Sequence, residues 1–212
     1  MITLFLILII AACFGLGFMV LIQNPKGGGL NANVGGISNN FMGVKQTTDV
    51  LEKGTWVFAA LIAILELNEQ NLTAETVLQL LDFSYIRQRF GLTDLGLIRK
   101  VVNAANIRFG ANGNKEDESI YVSWQYGLER IKLGICISGS EEYFTPNYSL
   151  YPLDMVEGNA AQEIIKFVHF VEILLSTIQA RNQMQTMVNW VTYVEQVLQN
   201  LVFDNLENVD ED

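Results

Sequence analysis

The chain has 212 residues, half of them hydrophobic, and a net charge of −10 from 13 Lys and Arg against 23 Asp and Glu. Residues 71–212 carry most of this charge, with 10 basic and 19 acidic side chains. Such a surface repels phosphate backbones and anionic headgroups, so we expect no nucleic-acid partner. The two cysteines, Cys13 and Cys136, lie in segments of different character, and no intrachain disulfide is expected.

The first apolar run covers residues 2–22 and contains no charge. At about 1.5 Å per residue it reaches about 30 Å, the thickness of a bilayer core, and it predicts a transmembrane helix. A cleaved signal peptide and a lipoprotein processed at Cys13 are alternatives, but no basic residue precedes Lys26 and the apolar run continues past Cys13. Gly15 and Gly17 would allow a partner helix to approach closely.

The second apolar run, Gly54–Leu65, has twelve uncharged residues, fewer than the roughly 17–25 of a usual span. Trp56 would lie near a membrane interface. Two interpretations stay open, a short second span and a core helix of the downstream domain, and we favour the span.

A glycine-rich loop joins the two runs: seven of the 17 glycines fall in the stretch from Gln23 through Gly54, counting Gly54 itself. This composition indicates a flexible connection. Lys26 beside Gly27–Gly29 is a weak match to a phosphate-binding loop, because the terminal Gly-Lys-Ser/Thr and the preceding soluble strand are missing.

Four blocks of this region, taken in order, resemble SecG, the small two-helix subunit of the bacterial SecYEG protein-translocation channel. The blocks are Val20–Gln23, Lys26–Leu30, Phe41–Gly43 and Asp49–Thr55, and the resemblance covers about residues 1–65. It implies an auxiliary subunit that packs beside SecY-like and SecE-like channel subunits. Such a subunit assists export driven by a SecA-like motor and is itself no enzyme and needs no cofactor.

The resemblance and the small residues of the first helix also suggest residues that contact the channel. These candidates are Gly15, Gly17, Gln23, Lys26, Gly27, Gly28, Gly29, Leu30, Gly43 and Thr55.

The distribution of lysines predicts the topology of the hairpin. Lys26, Lys45 and Lys53 lie in or beside the glycine loop, while the N-terminus has no basic residue. By the positive-inside tendency the loop is cytoplasmic and both termini lie outside. The expected location is the bacterial inner membrane, multi-pass, with a periplasmic C-terminal domain.

Downstream, residues 72–90 have the pattern of a helix with Thr73 as its N-cap, ended by Gly91. A second helix is predicted from Thr93, with apolar residues at spacings of three and four up to Gly110. Residues 111–119 form a polar loop with an acidic trio, but the spacing of a calcium-binding loop is absent.

Alternation of period two follows, in residues 120–126 and again in residues 130–137, with a break at Gly127. This pattern predicts an antiparallel β-hairpin with one buried face. The tyrosine-rich segment 139–153 is compatible with a third strand, a recognition loop or packing under the domain.

The last element is a long helix or a helix pair. Asn159 begins a capping-box pattern. Two apolar stripes follow, out of phase with each other across the polar residues 179–183, and predict a bend or two helices. The first stripe is Ile164, Phe167, Val171, Leu174 and Ile178, and the second is Met184, Met187, Val191, Val194, Leu198 and Leu201.

The domain offers little for chemistry. His169 lies on the polar face of its helix between Lys166 and Glu172, and Cys136 has no evident activating partner. We therefore predict no catalytic, cofactor-binding or metal-binding residues.

The predicted fold class is mainly α, with a two-helix transmembrane hairpin and an α+β soluble domain that contains the β-hairpin and the C-terminal helix or helix pair. The predicted domains are a SecG-like hairpin at 1–67, a soluble domain of unknown function at 71–203 and an acidic tail at 204–212. The favoured function is an auxiliary translocase subunit with an extra interaction domain. The alternatives are a membrane-anchored binding or scaffold protein, a tethered enzyme, and a fusion of unrelated parts joined near Glu66.

Overall fold

The computed structural model describes residues 2–22, 44–70, 72–139, 141–146, 148–155, 158–183 and 186–203. The chain divides into two compact units, Met1–Glu66 and Leu67–Asp212. The glycine-rich loop between the apolar runs and the acidic tail at 204–212 lie outside the described residues. The predicted domain bounds of 1–67, 71–203 and 204–212 stay predictions.

The first unit consists of two helices that pack against each other, α1 (Ile2–Ile22) and α2 (Val44–Glu66). Their contact is close at Gly15, where a Cβ atom would lie 3.3 Å from the ring of Phe58. Ala12, one turn earlier, is buried. Small residues on α1 therefore let the two helices approach, as they do at many helix interfaces.

The transmembrane hairpin predicted from the sequence is contradicted. Within the described part of the chain, no helix has both the length and the apolar character that a membrane crossing requires. In α2 the charged residues Glu52 and Lys53 and the terminal Glu66 leave twelve uncharged residues, about 18 Å of helix.

The second unit begins with three short helices, α3 (Ala74–Leu80), α4 (Ser84–Phe90) and α5 (Leu95–Ala104). Thr73 caps α3 as predicted, since its side chain accepts a hydrogen bond from the Thr76 backbone N–H at 3.1 Å. The single helix predicted for residues 72–90 is interrupted by a turn after α3. Gly91 ends α4 as predicted, in the left-handed conformation that glycine adopts without steric cost.

The predicted β-hairpin at 120–137 is wrong. A 3₁₀ turn (Ser119–Val122) leads into α6 (Trp124–Cys136), and Ser123 caps this helix through a 3.4 Å hydrogen bond from the Tyr126 N–H. Trp124, Leu128 and Ile131 are buried at spacings of four and three, so the burial follows a helical period. Tertiary packing and the Ser123 cap outweigh the local period of two.

The strands that do form are two residues long each, β1 (Tyr143–Phe144) and β2 (Ser149–Leu150), paired antiparallel. They lie in the tyrosine-rich segment, for which a strand was one of the open interpretations. Tyr143 pairs with Leu150, and Phe144 pairs with Ser149.

The last elements that the structure describes form the predicted helix pair, α7 (Asn159–Gln183) and α8 (Met187–Val197), followed by a π-helical turn (Leu198–Val202). The five residues of the first predicted stripe, Ile164, Phe167, Val171, Leu174 and Ile178, are all buried. The second stripe is confirmed at Leu201, which is buried, but is wrong in phase within α8. Met187 and Val191 are exposed, and Trp190, Tyr193 and Val197 face the core instead.

The core of the second unit is built around α7. Aromatic rings connect it to the other helices: Phe170 packs edge-to-face on Phe90 of α4 at 5.1 Å, and Phe167 lies 6.3 Å from Trp124 of α6. The Trp124 indole N–H donates to the Leu72 carbonyl oxygen at 3.0 Å, so its buried polar group is satisfied. The long helix α7 thus serves as the scaffold on which α4, α5 and α6 are positioned.

Candidate functional site

Two charged side chains of α7 hold the connection between α4 and α5. The Glu163 carboxylate accepts hydrogen bonds from the backbone N–H groups of Thr93 and Asp94, the latter at 2.8 Å, where α5 begins. The Lys166 ammonium donates to the Gly91 carbonyl oxygen at 3.0 Å, where α4 ends. A negative group thus meets a helix N-terminus and a positive group meets a helix C-terminus, the arrangement that helix dipoles favour.

The environment of Glu163 keeps it ionised. Burial of the side chain raises the pKa of this carboxyl, but the backbone hydrogen bonds from Asp94 and Thr93, the Thr93 hydroxyl and the nearby Lys166 together lower the pKa below its ordinary value. Lys166 lies 3.8 Å from the second carboxylate oxygen. We call Glu163 and Lys166, with the residues 91–94 that they bind, the α7 clamp.

The clamp fixes the orientation of α5, whose outer face is basic. Ile98, Val101 and Val102 of α5 are buried, while Arg99 and Lys100 are exposed. The Asp94 side chain caps the N-terminus of α5 by accepting a hydrogen bond from the Leu97 backbone N–H at 2.9 Å. Apolar and charged residues recur at helical spacing along α5, so the helix has one apolar face and one charged face.

The basic character continues beyond the end of α5. Arg108 is exposed, and its Nε donates to the Asn106 side chain at 3.2 Å, with Asn106 in the left-handed conformation. Phe109 follows with about half of its surface exposed (49%). We call Arg99, Lys100 and Arg108 the basic stripe.

Local charge in this region is opposite to that of the whole chain. Between Phe83 and Gly110 there are five basic residues and one acidic residue, although the net charge of the chain is −10. The basic residues are Arg87, Arg89, Arg99, Lys100 and Arg108, and the acidic one is Asp94. Exposed Arg and Lys side chains carried on a fixed helix are suited to binding phosphate groups of a nucleic-acid backbone.

Sequence reasoning placed a helix at α5 but missed both the clamp and the stripe. The clamp joins residues 70 positions apart, so no local pattern reveals it. The stripe was detectable as a local excess of basic residues in an acidic chain.

The structure places three of the ten channel-interaction candidates. Gly15 packs against Phe58 of α2, and Thr55 lies within α2. At Gly17 an added Cβ atom would meet no described neighbour within 4 Å. The other seven, Gln23, Lys26, Gly27, Gly28, Gly29, Leu30 and Gly43, lie outside the described residues. Their interaction role stays a prediction.

The residues considered for chemistry lie on the surface. His169 is exposed on α7 with its ring 6.0 Å from that of Phe90, and Cys136 is exposed at the end of α6. In the described part of the chain, no three His, Cys, Asp or Glu side chains are grouped in a way that could hold a metal ion. The polar loop at 111–119 is closed by its own hydrogen bonds, such as that from the Ser119 N–H to the Asp117 carboxylate at 3.0 Å.

The second unit is thus a mainly helical domain with surfaces suited to binding, and comparison with known proteins identifies its family. The family model described as "RecBCD enzyme subunit RecC fourth domain" matches residues 56–212, about three quarters of the chain. The chain therefore belongs to the RecC fourth-domain family. The model described as "Preprotein translocase SecG subunit" matches residues 2–79, so the two matches share residues 56–79.

Curated relatives agree with the larger match. RecBCD enzyme subunit RecC of Haemophilus influenzae is 30% identical over 162 residues, which are 76% of this chain and 14% of that protein. The RecC subunit of Mycolicibacterium smegmatis is 27% identical over 189 residues, 86% of this chain and 17% of that protein. That of Escherichia coli is 30% identical over 113 residues, half of this chain and 10% of that protein. The chain spans about one sixth or less of the length of these relatives.

These findings correct several expectations. The resemblance to SecG is confirmed for the N-terminal part, but the rest of the chain is RecC-like. The predicted function in protein translocation is wrong, and so are the predicted SecY-like, SecE-like and SecA-like partners, because the relatives are named as subunits of the RecBCD enzyme. The predicted inner-membrane location with a periplasmic domain is also wrong, because of the same relatives and because no described helix qualifies as a span. The expectation of no nucleic-acid partner is corrected too. It rested on net charge, which averages over the chain and hides the basic stripe.

Proposed function

We propose that the RecC-like part of this chain, residues 56–212, is a non-catalytic domain of a RecBCD-type enzyme that acts in DNA recombination and repair. The observation that carries the proposal is the match to the RecC fourth domain over this range. The relatives are named as subunits of a multisubunit enzyme, so the proposed partners are the other subunits, of the RecB and RecD type. The SecG-like segment enters the proposal only as a helix pair that precedes this domain.

The non-catalytic role is supported by the character of the described surface. His169 and Cys136 are both exposed, on α7 and at the end of α6. The two charged side chains of the α7 clamp bind backbone groups within the domain. Its charges are therefore used to position α5.

The proposed DNA contact is the basic stripe. Arg99, Lys100 and Arg108 are exposed cations on and beside a helix whose start is held by Glu163. Contacts of this kind go to phosphates and position a protein on DNA without reading its sequence. Each phosphate neutralised on duplex DNA contributes about 0.9 to the slope of log affinity against log salt concentration.

Assembly is tested by coexpression. The full chain is produced with the RecB-type and RecD-type subunits of the same organism, and size-exclusion chromatography measures whether the three proteins elute together. Coelution is the expected result. Elution of the chain by itself at micromolar concentrations of all three proteins would overturn the proposed assembly.

DNA contact is tested by fluorescence anisotropy with a labelled duplex of about 30 base pairs at several salt concentrations. Replacing Arg99 and Lys100 by serine should weaken binding and lower the salt slope by roughly 2. The matched control replaces Lys115 and Lys132, two exposed lysines outside the stripe. Equal losses in both double variants would mean that net charge alone accounts for the binding and that the stripe is no specific contact.

A further inference from the structure

The helix α1 has an apolar face that α2 does not cover. Two phenylalanines on this face are largely exposed, Phe14 by 75% and Phe18 by 64%. Three further large side chains on it are about half exposed, namely Leu6, Ile7 and Ile10. We call these five residues the α1 face. The helix α2 packs on another side of α1, at Gly15.

The spacing along the α1 face is that of a seam between two helices. One line of residues follows intervals of three, four and three, which keeps its members on one side of a helix that packs against another helix. This line consists of Ile7, Ile10, Phe14 and Gly17. A Cβ atom added at Gly17 would meet no described neighbour within 4 Å. The glycine therefore leaves room for a large side chain of a facing helix.

The chemistry of α1 favours an identical partner over a charged one. From Ile2 to Ile22 the helix carries no charged residue. A helix that is apolar all round is ordinarily covered on all its sides, whereas within the first unit α2 covers only one of them. An uncharged face has no group that would select a charged partner, and it does not repel a second copy of itself.

The size of the α1 face is suited to a contact between two copies. Its exposed apolar surface is roughly 600 Å², the upper end of what a typical monomer leaves exposed in one patch. Two such faces placed together bury about 1,200 Å², the lower end of the range for specific protein interfaces. A two-fold contact uses the same patch on both copies, so the α1 face has to match only itself.

We propose that the α1 face joins two copies of this chain, with α1 packed on α1. Cys13 supplies a marker for this contact, because it is exposed on α1. It lies one position from the middle of the stretch between Leu6 and Phe18. Two helices centred on this stretch, whether parallel or antiparallel, therefore bring their two Cys13 thiols to nearly the same level along the helix axis.

The first test is disulfide cross-linking of the full chain in the cells that produce it. Copper phenanthroline oxidises neighbouring thiols, and non-reducing gel electrophoresis separates the 23.8 kDa chain from a product of twice that mass. Cys136 is the matched control, since it is exposed as well but lies at the end of α6. We expect Cys136→Ser to cross-link as fully as the wild type and Cys13→Ser to give at least tenfold less product.

Substitutions on the α1 face locate the contact. Phe14→Asn should lower both the cross-linked fraction and the copurification of two differently tagged copies at least tenfold, because the most exposed ring of the face is lost from each copy. Phe14→Leu keeps an apolar side chain and should retain most of the cross-linking. Phe144→Asn removes an exposed phenylalanine of β1, in the second unit, and should change neither measurement. Circular dichroism of the purified variants checks that each is folded.

Cross-linking that persists in Cys13→Ser, or equal losses in Phe14→Asn and Phe144→Asn, would overturn the proposal. Flotation of the purified chain with phosphatidylcholine vesicles is measured in parallel. If the chain floats, no longer floats as Phe14→Asn and forms no cross-link through Cys13, the α1 face binds lipid and its assignment to a second copy is wrong. Cross-linking through Cys13 supports the assignment whether or not the chain floats.

Discussion

Replacing Glu163 by alanine would remove the carboxylate that holds the start of α5. The variant loses the hydrogen bonds from the Thr93 and Asp94 N–H groups, the 3.3 Å bond from the Thr93 hydroxyl and the 3.8 Å ion pair with Lys166. The Glu163 side chain is only 11% exposed, so in the wild type these bonds form largely out of contact with water.

The expected cost is about 2–3 kcal/mol of the free energy of unfolding. Hydrogen bonds to a charged group are worth about 1.5–3 kcal/mol each. Thr93 and Asp94 are themselves exposed, so their freed N–H groups regain water and reduce the loss. The ion pair with the half-exposed Lys166 adds about 0–1 kcal/mol. For a chain of this size the melting temperature should fall by about 5–10 °C.

Hydrogen exchange measured by mass spectrometry on peptides that cover residues 92–98 gives the local readout, and urea unfolding gives the global one. Glu163→Gln keeps one acceptor and should lose less than Glu163→Ala. Glu172→Ala removes an exposed carboxylate from the same helix and should change stability by less than about 0.5 kcal/mol. Unchanged protection of residues 92–98 in Glu163→Ala would refute the role of the clamp.

The clamp also predicts a dependence on pH. Burial raises the pKa of Glu163, but the hydrogen bonds from Asp94 and Thr93 and the charge of Lys166 lower it below the ordinary 4.5. Its stabilisation is therefore fully present above pH 4.5 and is lost as pH falls through the lowered pKa. The stability difference between the wild type and Glu163→Gln should shrink below that pH in urea titrations.

Three further predictions concern packing and titration. Gly134→Ala should destabilise the protein by about 1–3 kcal/mol or more in urea unfolding, because its Cβ would lie 2.2 Å from the Leu153 carbonyl oxygen. Gly96→Ala, at an exposed position of α5, is the control and should be neutral or stabilising. Equal effects of the two substitutions would contradict this reasoning. Trp124→Phe should cost about 1–3 kcal/mol through loss of the buried bond to Leu72 and of ring volume, and a fully retained melting temperature would contradict that reasoning. Burial and a bonded carboxylate raise the pKa of Tyr148 to about 12. The contribution of this tyrosine to the free energy of unfolding should therefore be present below pH 10 and lost as pH rises toward 12. Tyrosinate absorbance follows the titration itself.

Local signals in the sequence predicted those elements whose ends and faces are set by neighbouring residues. Thr73 as a cap and Gly91 as a helix end depend on side chains within one turn, and both are confirmed. The buried stripe of α7 was equally readable, because a long helix against a core repeats its apolar residues at spacings of three and four.

The failures come from contacts between distant residues. In α6 the alternation of apolar and polar side chains resembles a strand, but Gly127 and Gly134 lie seven positions apart on one helical face, where other parts of the chain approach closely. In α8 the choice between two apolar faces depends on where the helix packs, which the sequence does not show. The α7 clamp and the hydrogen bond from the Tyr148 hydroxyl to Glu129 join segments about 20–70 residues apart, and only the folded chain brings these together.

The two glycines of α6 have a consequence for the order of folding. Each costs about 1 kcal/mol of intrinsic helix stability relative to alanine, so this thirteen-residue segment is a weak helix by itself. In the folded protein α6 packs closely on two other segments: a Cβ on Gly127 would lie 2.2 Å from the Ile107 side chain, and a Cβ on Gly134 would lie 2.2 Å from the Leu153 backbone. The helix therefore needs these contacts to become stable. We therefore expect α6 to form after the transition state, with substitutions at Leu128 and Ile131 accelerating unfolding and leaving the folding rate almost unchanged.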